Sequence, residues 1–114
     1  MVAWKNRGRN RGNKYGAKSV ILDGHKFHSL GEARRYRELK LLMSAKQISG
    51  LELQPRYKLK VGGVLVCTWV ADFEYWEGDK MIAEDFKGHQ TYASKIKIKL
   101  FKALFPLIEV RISK

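Results

Sequence analysis

Three side chains have the types and spacing of a site that holds a divalent cation and activates water. Asp72 follows an apolar run, and Asp85 and Lys87 lie two residues apart in the next apolar segment. In a β-strand, residues two apart project from the same face, about 6.6 Å apart along the strand. If the two segments pair through the short connection 77–80, Asp72 and Asp85 converge. Two carboxylates suit a hard cation, and a lysine beside them can position or deprotonate water or stabilise a charged transition state.

A fourth candidate, Glu32, lies in a predicted helix. Counted at about 100° per residue, it shares a face with Tyr36 and Leu39, at the mouth of the inward apolar stripe. Two simpler interpretations stay open. Ser29 and Glu32 have the spacing of a capping box, in which Glu32 would only cap its helix. The Asp-x-Lys triplet could likewise form a surface ion pair.

Apolar periodicity and turn residues predict the elements that position these side chains. A β-hairpin is predicted over 19–22 and 25–27 around Asp23-Gly24, and a helix over 30–45. Extended segments are predicted over 51–54, 56–61, 64–75 and 81–87, and the third, apolar on both faces, is expected to be a long central strand. A second helix over 91–105 and a strand over 107–112 complete an α/β fold with a mixed central sheet flanked by helices and an N-terminal hairpin.

The composition indicates a polyanionic partner. Lys and Arg outnumber Asp and Glu by 23 to 11, for a formal charge of +12, which favours nucleic acid. No apolar stretch approaches the roughly 20 residues that span a bilayer, and no secretory signal is visible, so we expect a cytoplasmic protein that does not contact membranes. The single cysteine, Cys67, and three histidines exclude a disulfide framework and a structural zinc pattern.

Basic residues concentrate at two places. The first 18 residues contain no acid and are predicted to form a flexible arm before a single domain over 19–114. This arm is expected to bind DNA phosphates, and a solubilising tail is the alternative. The second helix is predicted to have an apolar side and a separate side that carries lysines. The apolar side contains Ala93, Ile96, Leu100, Phe101 and Leu104. Gln90, which precedes the helix, could contact DNA or cap the helix. The candidate DNA-binding residues are Lys5, Arg7, Arg9, Arg11, Lys14, Lys18, Gln90, Lys95, Lys99 and Lys102.

Five short motifs resemble a family of short phage proteins placed in the PD-(D/E)XK nuclease superfamily. They cover nearly the whole chain from Lys14. In chain order they are Lys-Tyr-Gly-Ala-Lys at 14–18, Glu-Ala-Arg-Arg-Tyr at 32–36, Leu-Gln-Pro-Arg at 53–56, Ala-Asp-Phe at 71–73 and Glu-Asp-Phe-Lys-Gly at 84–88. The order of elements is similar to the restriction-endonuclease-like αβββαβ core of that superfamily: a helix with Glu, a strand with Asp, a strand with Asp-x-Lys, a basic helix and a strand. The long spacing from Glu32 to Asp72 is similar to the spacing in the phage junction-resolving branch of the superfamily.

This resemblance implies a catalytic site of Glu32, Asp72, Asp85 and Lys87. Mg²⁺, or Mn²⁺ as a substitute, would be held by Asp72, Asp85 and the carbonyl of Phe86, with Glu32 completing the site and Lys87 beside the nucleophilic water. The implied activity is cleavage of DNA phosphodiesters at Holliday junctions or other branched intermediates, in the host cytoplasm if the protein is phage-encoded. Because resolving a junction needs two incisions, a homodimer is expected.

Two alternative functions stay open. One is a flap, single-strand or nicking nuclease of the same fold. The other is a non-catalytic nucleic-acid-binding protein. The presence of all four site residues argues against the second, because a pure binder gains nothing from carboxylates that face phosphates.

Overall fold

The computed structural model describes residues 19–86 and 90–114. The described residues divide into two compact units, with the boundary between Arg37 and Glu38, within the first helix. The predicted arm lies outside the described residues, and the single domain over 19–114 remains a prediction. No helix in the described ranges is long and apolar enough to cross a membrane.

The first unit contains the predicted hairpin. Strands β1 (Val20–Leu22) and β2 (His25–Phe27) pair antiparallel. The turn between them has positive φ at both central residues, 53° at Asp23 and 80° at Gly24, as a type I′ turn requires. The predicted hairpin and its turn are therefore confirmed.

Helix α1 (Leu30–Ser44) starts in the first unit and matches the predicted helix within one residue. Ser29 begins it, because its Oγ accepts the backbone N–H of Glu32 at 3.0 Å. Tyr36 packs its ring on Phe27, with centroids 4.9 Å apart, and donates its hydroxyl to Asp23 Oδ2 at 2.9 Å. These contacts join the hairpin to the first turns of α1.

The second unit contains a four-stranded mixed sheet and a separate two-stranded ribbon. The elements are β3 (Ser49–Leu53), β4 (Arg56–Val61), β5 (Val64–Val70), β6 (Phe73–Glu77), β7 (Lys80–Phe86), α2 (Tyr92–Leu104) and β8 (Ile108–Ser113). In the sheet, in the order β3-β6-β7-β8, only β8 runs parallel to its neighbour, β7. A parallel pair needs a crossover, which α2 supplies. The predicted α/β class, with a mixed sheet and two helices, is confirmed.

The long strand predicted over 64–75 is wrong, because the chain breaks after β5 and changes partners. The backbone N–H of Ala71 donates to the carbonyl of Pro55 at 3.2 Å, next to β4. One residue later, the N–H of Asp72 donates to the carbonyl of Glu84 at 3.0 Å, on β7. The segment therefore leaves the ribbon of β4 and β5 and enters the four-stranded sheet as β6.

The expected two-sided burial of this segment is also wrong for β5. Val64, Leu65 and Val66 are 66%, 50% and 56% exposed. Within the described chain β5 pairs only with β4, so one face of the ribbon packs inward and the other faces solvent. An apolar run does not by itself distinguish these environments.

The core of the second unit lies between the ribbon, α2 and one face of the sheet. Its buried residues are Leu59, Trp69, Ala71, Ala83, Ile98 and Phe101. The ring of Tyr57 stacks on Trp69, with centroids 5.7 Å apart, and packs at a tilt against Phe101, with centroids 4.7 Å apart. Its hydroxyl donates to Glu74 Oε1 at 2.5 Å. The apolar side predicted for α2 is partly wrong: Ile98 is buried, whereas Ile96 is 48% exposed and Ala93 is exposed.

Candidate functional site

Asp72 and Asp85 lie near the same end of the mixed sheet. Asp72 directly precedes β6, whose first residue, Phe73, is paired with Glu84 on β7. The backbone N–H of Asp72 donates to the carbonyl of Glu84 at 3.0 Å, and the backbone N–H of Phe86 donates to Asp72 Oδ2 at 2.7 Å. These two bonds hold the Asp72 carboxylate beside the backbone of β7 that carries Asp85.

Glu84 lies on the opposite face of β7 and has a different environment from its neighbour Asp85. It is fully buried, and its Oε1 accepts the hydroxyl of Tyr75 at 2.6 Å. Asp85, which is 8% exposed, lines a groove on the other side of the sheet. Alternation along the strand thus separates a carboxylate held in the interior from one that faces a groove.

Other acids of the sheet are engaged with cations away from this groove. Glu109 Oε2 accepts from Arg111 Nη2 at 2.8 Å, and Glu109 Oε1 lies 3.2 Å from Lys80 Nζ. Hydrogen bonds from Arg111 and Lys80 hold the pKa of Glu109 below its usual value. Burial, followed by the hydrogen bond to Glu74, raises the pKa of Tyr57, so this phenol stays protonated. Neither group resembles a catalytic acid or base.

The groove beside Asp85 has a volume of about 340 Å³. One wall is β5 at 68–70, and the other is the beginning of α2, where Thr91 caps the helix by accepting the N–H of Ser94 at 3.1 Å. The alternative that Gln90 caps this helix is therefore wrong. Lys97 also lines the groove and is the one cation among the described residues that form its walls. The groove thus offers a phosphate a positive charge on the side facing Asp85.

Lys97 and the residues of the β5 wall were not among the candidates from sequence. Lys97 follows Ala93 and Ser94 by four and three residues, so all three share a face of α2. This spacing is visible in the sequence. It indicates which residues face the groove only when the rotation of α2 about its axis is known. Lys95, Lys99 and Lys102 are exposed, as their predicted charged face requires, and Gln90 is partly exposed.

Glu32 lies in the first unit, and its capping role is observed directly. Its Oε1 accepts the backbone N–H of His28 at 2.6 Å, and its own N–H donates to Ser29. The side chain of Glu32 is nonetheless almost completely buried. The simpler interpretation from sequence, a helix cap, is therefore confirmed, whereas a part in cation binding remains a prediction.

Several predicted site residues lie outside the described residues. Lys87 is one of them, so the Asp85–Lys87 spacing and the alternative of a surface ion pair both remain predictions. The basic residues of the N-terminal arm are the others, namely Lys5, Arg7, Arg9, Arg11, Lys14 and Lys18.

The donors of Asp72, Asp85 and the Phe86 carbonyl fit a hard cation such as Mg²⁺. All are oxygens, and Asp72 is oriented by the N–H of Phe86. Within 19–86 and 90–114, no three His, Cys, Asp or Glu side chains come together. Mg²⁺ commonly uses one or two carboxylates and keeps several waters.

The fold defines a small α/β protein in which Asp72 and Asp85 lie near the same end of the mixed sheet. Residues 12–114 match the family described as "Protein of unknown function (DUF1064)", and the chain belongs to this family. No curated protein and no solved structure matches the sequence. The family description assigns no activity, so function is argued from the site.

Proposed function

We propose that the protein is a Mg²⁺-dependent endodeoxyribonuclease of the PD-(D/E)XK type. The observation that supports it best is that the Asp72 carboxylate accepts the N–H of Phe86, next to Asp85, while Asp85 lines a groove that also presents Lys97. A carboxylate pair holds a cation, and a cationic wall holds the anionic substrate. The net charge of +12 agrees with a nucleic-acid substrate.

In this proposal, the described residues orient the reacting groups. Asp72, Asp85 and the Phe86 carbonyl would hold the cation, which supplies a water of lowered pKa and neutralises charge on the phosphate. The Phe86 N–H fixes the orientation of Asp72. Lys87, by its resemblance to the family pattern, would lie beside the attacking water. The water oxygen bonds to phosphorus, one ester P–O bond breaks, and the water's proton ends on the departing oxygen.

The preferred substrate in this proposal is branched DNA, such as a Holliday junction. This preference comes from the motif resemblance alone, so it is weaker than the proposal of a nuclease site. Flap, single-strand or nicking activity would use the same residues. A non-catalytic DNA-binding protein would need the basic surface but not the carboxylate pair.

The test compares three Asp-to-Asn variants. Asp72→Asn and Asp85→Asn should each lower Mg²⁺-dependent cleavage by at least about 100-fold, equivalent to roughly 2.7 kcal/mol in the barrier. Binding to the same DNA without metal should stay equal or become tighter, because an anionic charge near phosphate is lost. Asp79→Asn is the matched control, because Asp79 is exposed in the turn at the far end of β6 and β7.

The substrates for this test are labelled four-way junction, flap, duplex and single-stranded DNA, each with and without Mg²⁺. Cleavage by the Asp72 and Asp85 variants at the rate of the Asp79 control would contradict the proposed site. DNA binding by the wild-type protein without cleavage of any substrate would favour the non-catalytic alternative.

A further inference from the structure

The ribbon of β4 and β5, hereafter the β4–β5 ribbon, has two faces of different chemistry. Its inward face carries Leu59 and Trp69, which belong to the core against α2. Its outward face carries Arg56, Lys58 and Lys60, which alternate with the inward residues and are all exposed. Residues two apart on a strand are separated by about 6.6 Å, so three cations form one row.

No acid within the ribbon balances this row. Residues 56–70 contain no Asp or Glu, whereas they contain three cations. The four-stranded sheet differs, because there Arg111 Nη2 lies 2.8 Å from Glu109 and 3.2 Å from Glu77. Like charges on one exposed face repel one another unless an anionic partner is present. The partner with matching chemistry is a polyanion.

The row of cations borders the groove that contains Asp85. Arg56 is paired with Val70, and Lys58 with Thr68, and these two β5 residues line the groove. Paired strands lie about 4.8 Å apart, so the cations begin one strand away from the groove wall. Lys97 lies on the opposite wall. Positive charge therefore flanks the groove on both sides.

We propose that the β4–β5 ribbon and Lys97 bind the sugar-phosphate backbone of DNA and so place one phosphodiester beside Asp85. Arg56, Lys58 and Lys60 hold phosphates along the ribbon, and Lys97 positions the phosphate within the groove. Contacts of this kind fix the orientation of DNA without reading its sequence. This inference rests on the proposed nuclease function, and it assigns the DNA surface to residues that were not among the DNA-binding candidates from the sequence.

The binding test uses the full chain and a fluorescent four-way junction without metal, across a salt series. The ribbon variant is Arg56→Gln with Lys58→Gln and Lys60→Gln, and it should weaken binding at least tenfold at low salt. The slope of log affinity against log salt should become shallower by up to about 2.7, at roughly 0.9 per phosphate contact. The control loses the same charge from exposed lysines elsewhere, namely Lys26→Gln, Lys46→Gln and Lys114→Gln.

A second measurement separates positioning from attraction. In single-turnover cleavage at saturating protein, the ribbon variant should recover most of the wild-type rate, because only its affinity is impaired. Lys97→Gln should remain about tenfold slow at saturation, and Lys97→Arg should restore the rate, because a positive charge returns to the groove. A Lys97→Gln rate equal to wild type at saturation would remove the positioning role.

The outcomes distinguish this inference from the nuclease proposal. Suppose that the wild-type protein binds DNA, that only the ribbon variant binds more weakly, and that no DNA is cleaved. This result would support the proposed DNA-binding surface and overturn the proposed nuclease activity. Normal cleavage together with equal affinities for the ribbon variant and its control would overturn the surface alone. Absence of wild-type binding would overturn both. If the ribbon variant melts at a lower temperature than wild type, Lys58→Gln alone should still lower the salt slope by about 0.9.

Discussion

Glu84 and Asp85 show how one strand gives two adjacent carboxylates different roles. The Glu84 carboxylate accepts a hydrogen bond from Tyr75, whose hydroxyl also lies 3.4 Å from Arg111 Nη1. It is therefore part of a buried polar network, and such networks specify a unique packing when their members are satisfied. Asp85 faces a groove with room for a ligand. The two residues are both acidic, so residue type alone does not distinguish their roles. The alternation of side chains between the two faces of β7 does distinguish them.

We predict that substitution can separate the two roles considered for Glu32, capping helix α1 and binding the cation. Glu32→Gln retains an acceptor for the His28 N–H, so stability should change by less than about 0.5 kcal/mol, whereas Glu32→Ala loses the cap and about 1 kcal/mol. If Glu32 also completes the cation site, both variants should lose cleavage by about 10- to 100-fold. Chemical denaturation and cleavage assays measure the two effects. Full activity in Glu32→Gln would leave Glu32 as a cap only.

From the sequence, the short turn at 77–80 predicted that the segments on either side of it pair, and β6 and β7 do pair. That Asp72 and Asp85 bind one cation remains a prediction. The sequence did not predict Lys97, for a physical reason. In α2, isoleucines at 96 and 98 alternate with lysines, so two apolar stripes are equally consistent with a helix. Packing against Leu59 and Trp69 selects the stripe with Ile98. That contact is distant in sequence and leaves no local signal.

Among the elements, the link between the β4–β5 ribbon and the four-stranded sheet depends on Tyr57. Its ring packs on Phe101, and its hydroxyl donates to Glu74 on β6. A hydrogen bond to a charged acceptor contributes more than one between neutral groups. The ribbon is thus attached to the sheet by a polar bond and to α2 by aromatic packing.

We predict that Tyr57→Phe will lower the free energy of unfolding by about 1 to 3 kcal/mol, because the ring stays and the bond to Glu74 is lost. Tyr92→Phe is the matched control, since Tyr92 is 80% exposed, and it should change stability by less than about 0.5 kcal/mol. Urea denaturation of both variants measures the difference. Equal values for the two would show that the Tyr57–Glu74 bond contributes nothing to stability.

The elements that sequence predicted well have local signals. The type I′ dipeptide Asp23-Gly24 fixed the hairpin, and Ser29 fixed the start of α1. The break between β5 and β6 has no such signal, because β-branched and aromatic residues favour extended backbone on either side of it. What interrupts the strand is the change of hydrogen-bond partner from Pro55 to Glu84, a non-local event.

For the whole molecule, we predict that two copies bind one four-way junction and make two symmetric incisions. The proposed site occurs once in each chain, whereas resolution of a junction into two duplexes needs two cuts, which a two-fold dimer supplies. The β1–β2 hairpin is a candidate contact, because the apolar side chain of Ile21 is 74% exposed on it. Light scattering of the complex and end-labelled cleavage mapping test this. One copy per junction, or a single unpaired nick, would contradict the resolving activity.

The two residues between β5 and β6 limit how the length of this chain can vary in evolution. Because side chains alternate along β6, one residue added or removed at 71–72 would exchange its faces. Phe73 and Tyr75 would then turn toward the acidic pair, and the Tyr75–Glu84 bond would be lost. The Gly62-Gly63 turn, where an added Cβ would meet nothing within 4 Å, has no such restriction. Insertions and deletions in relatives should therefore collect at the tip of the ribbon and be absent from its base.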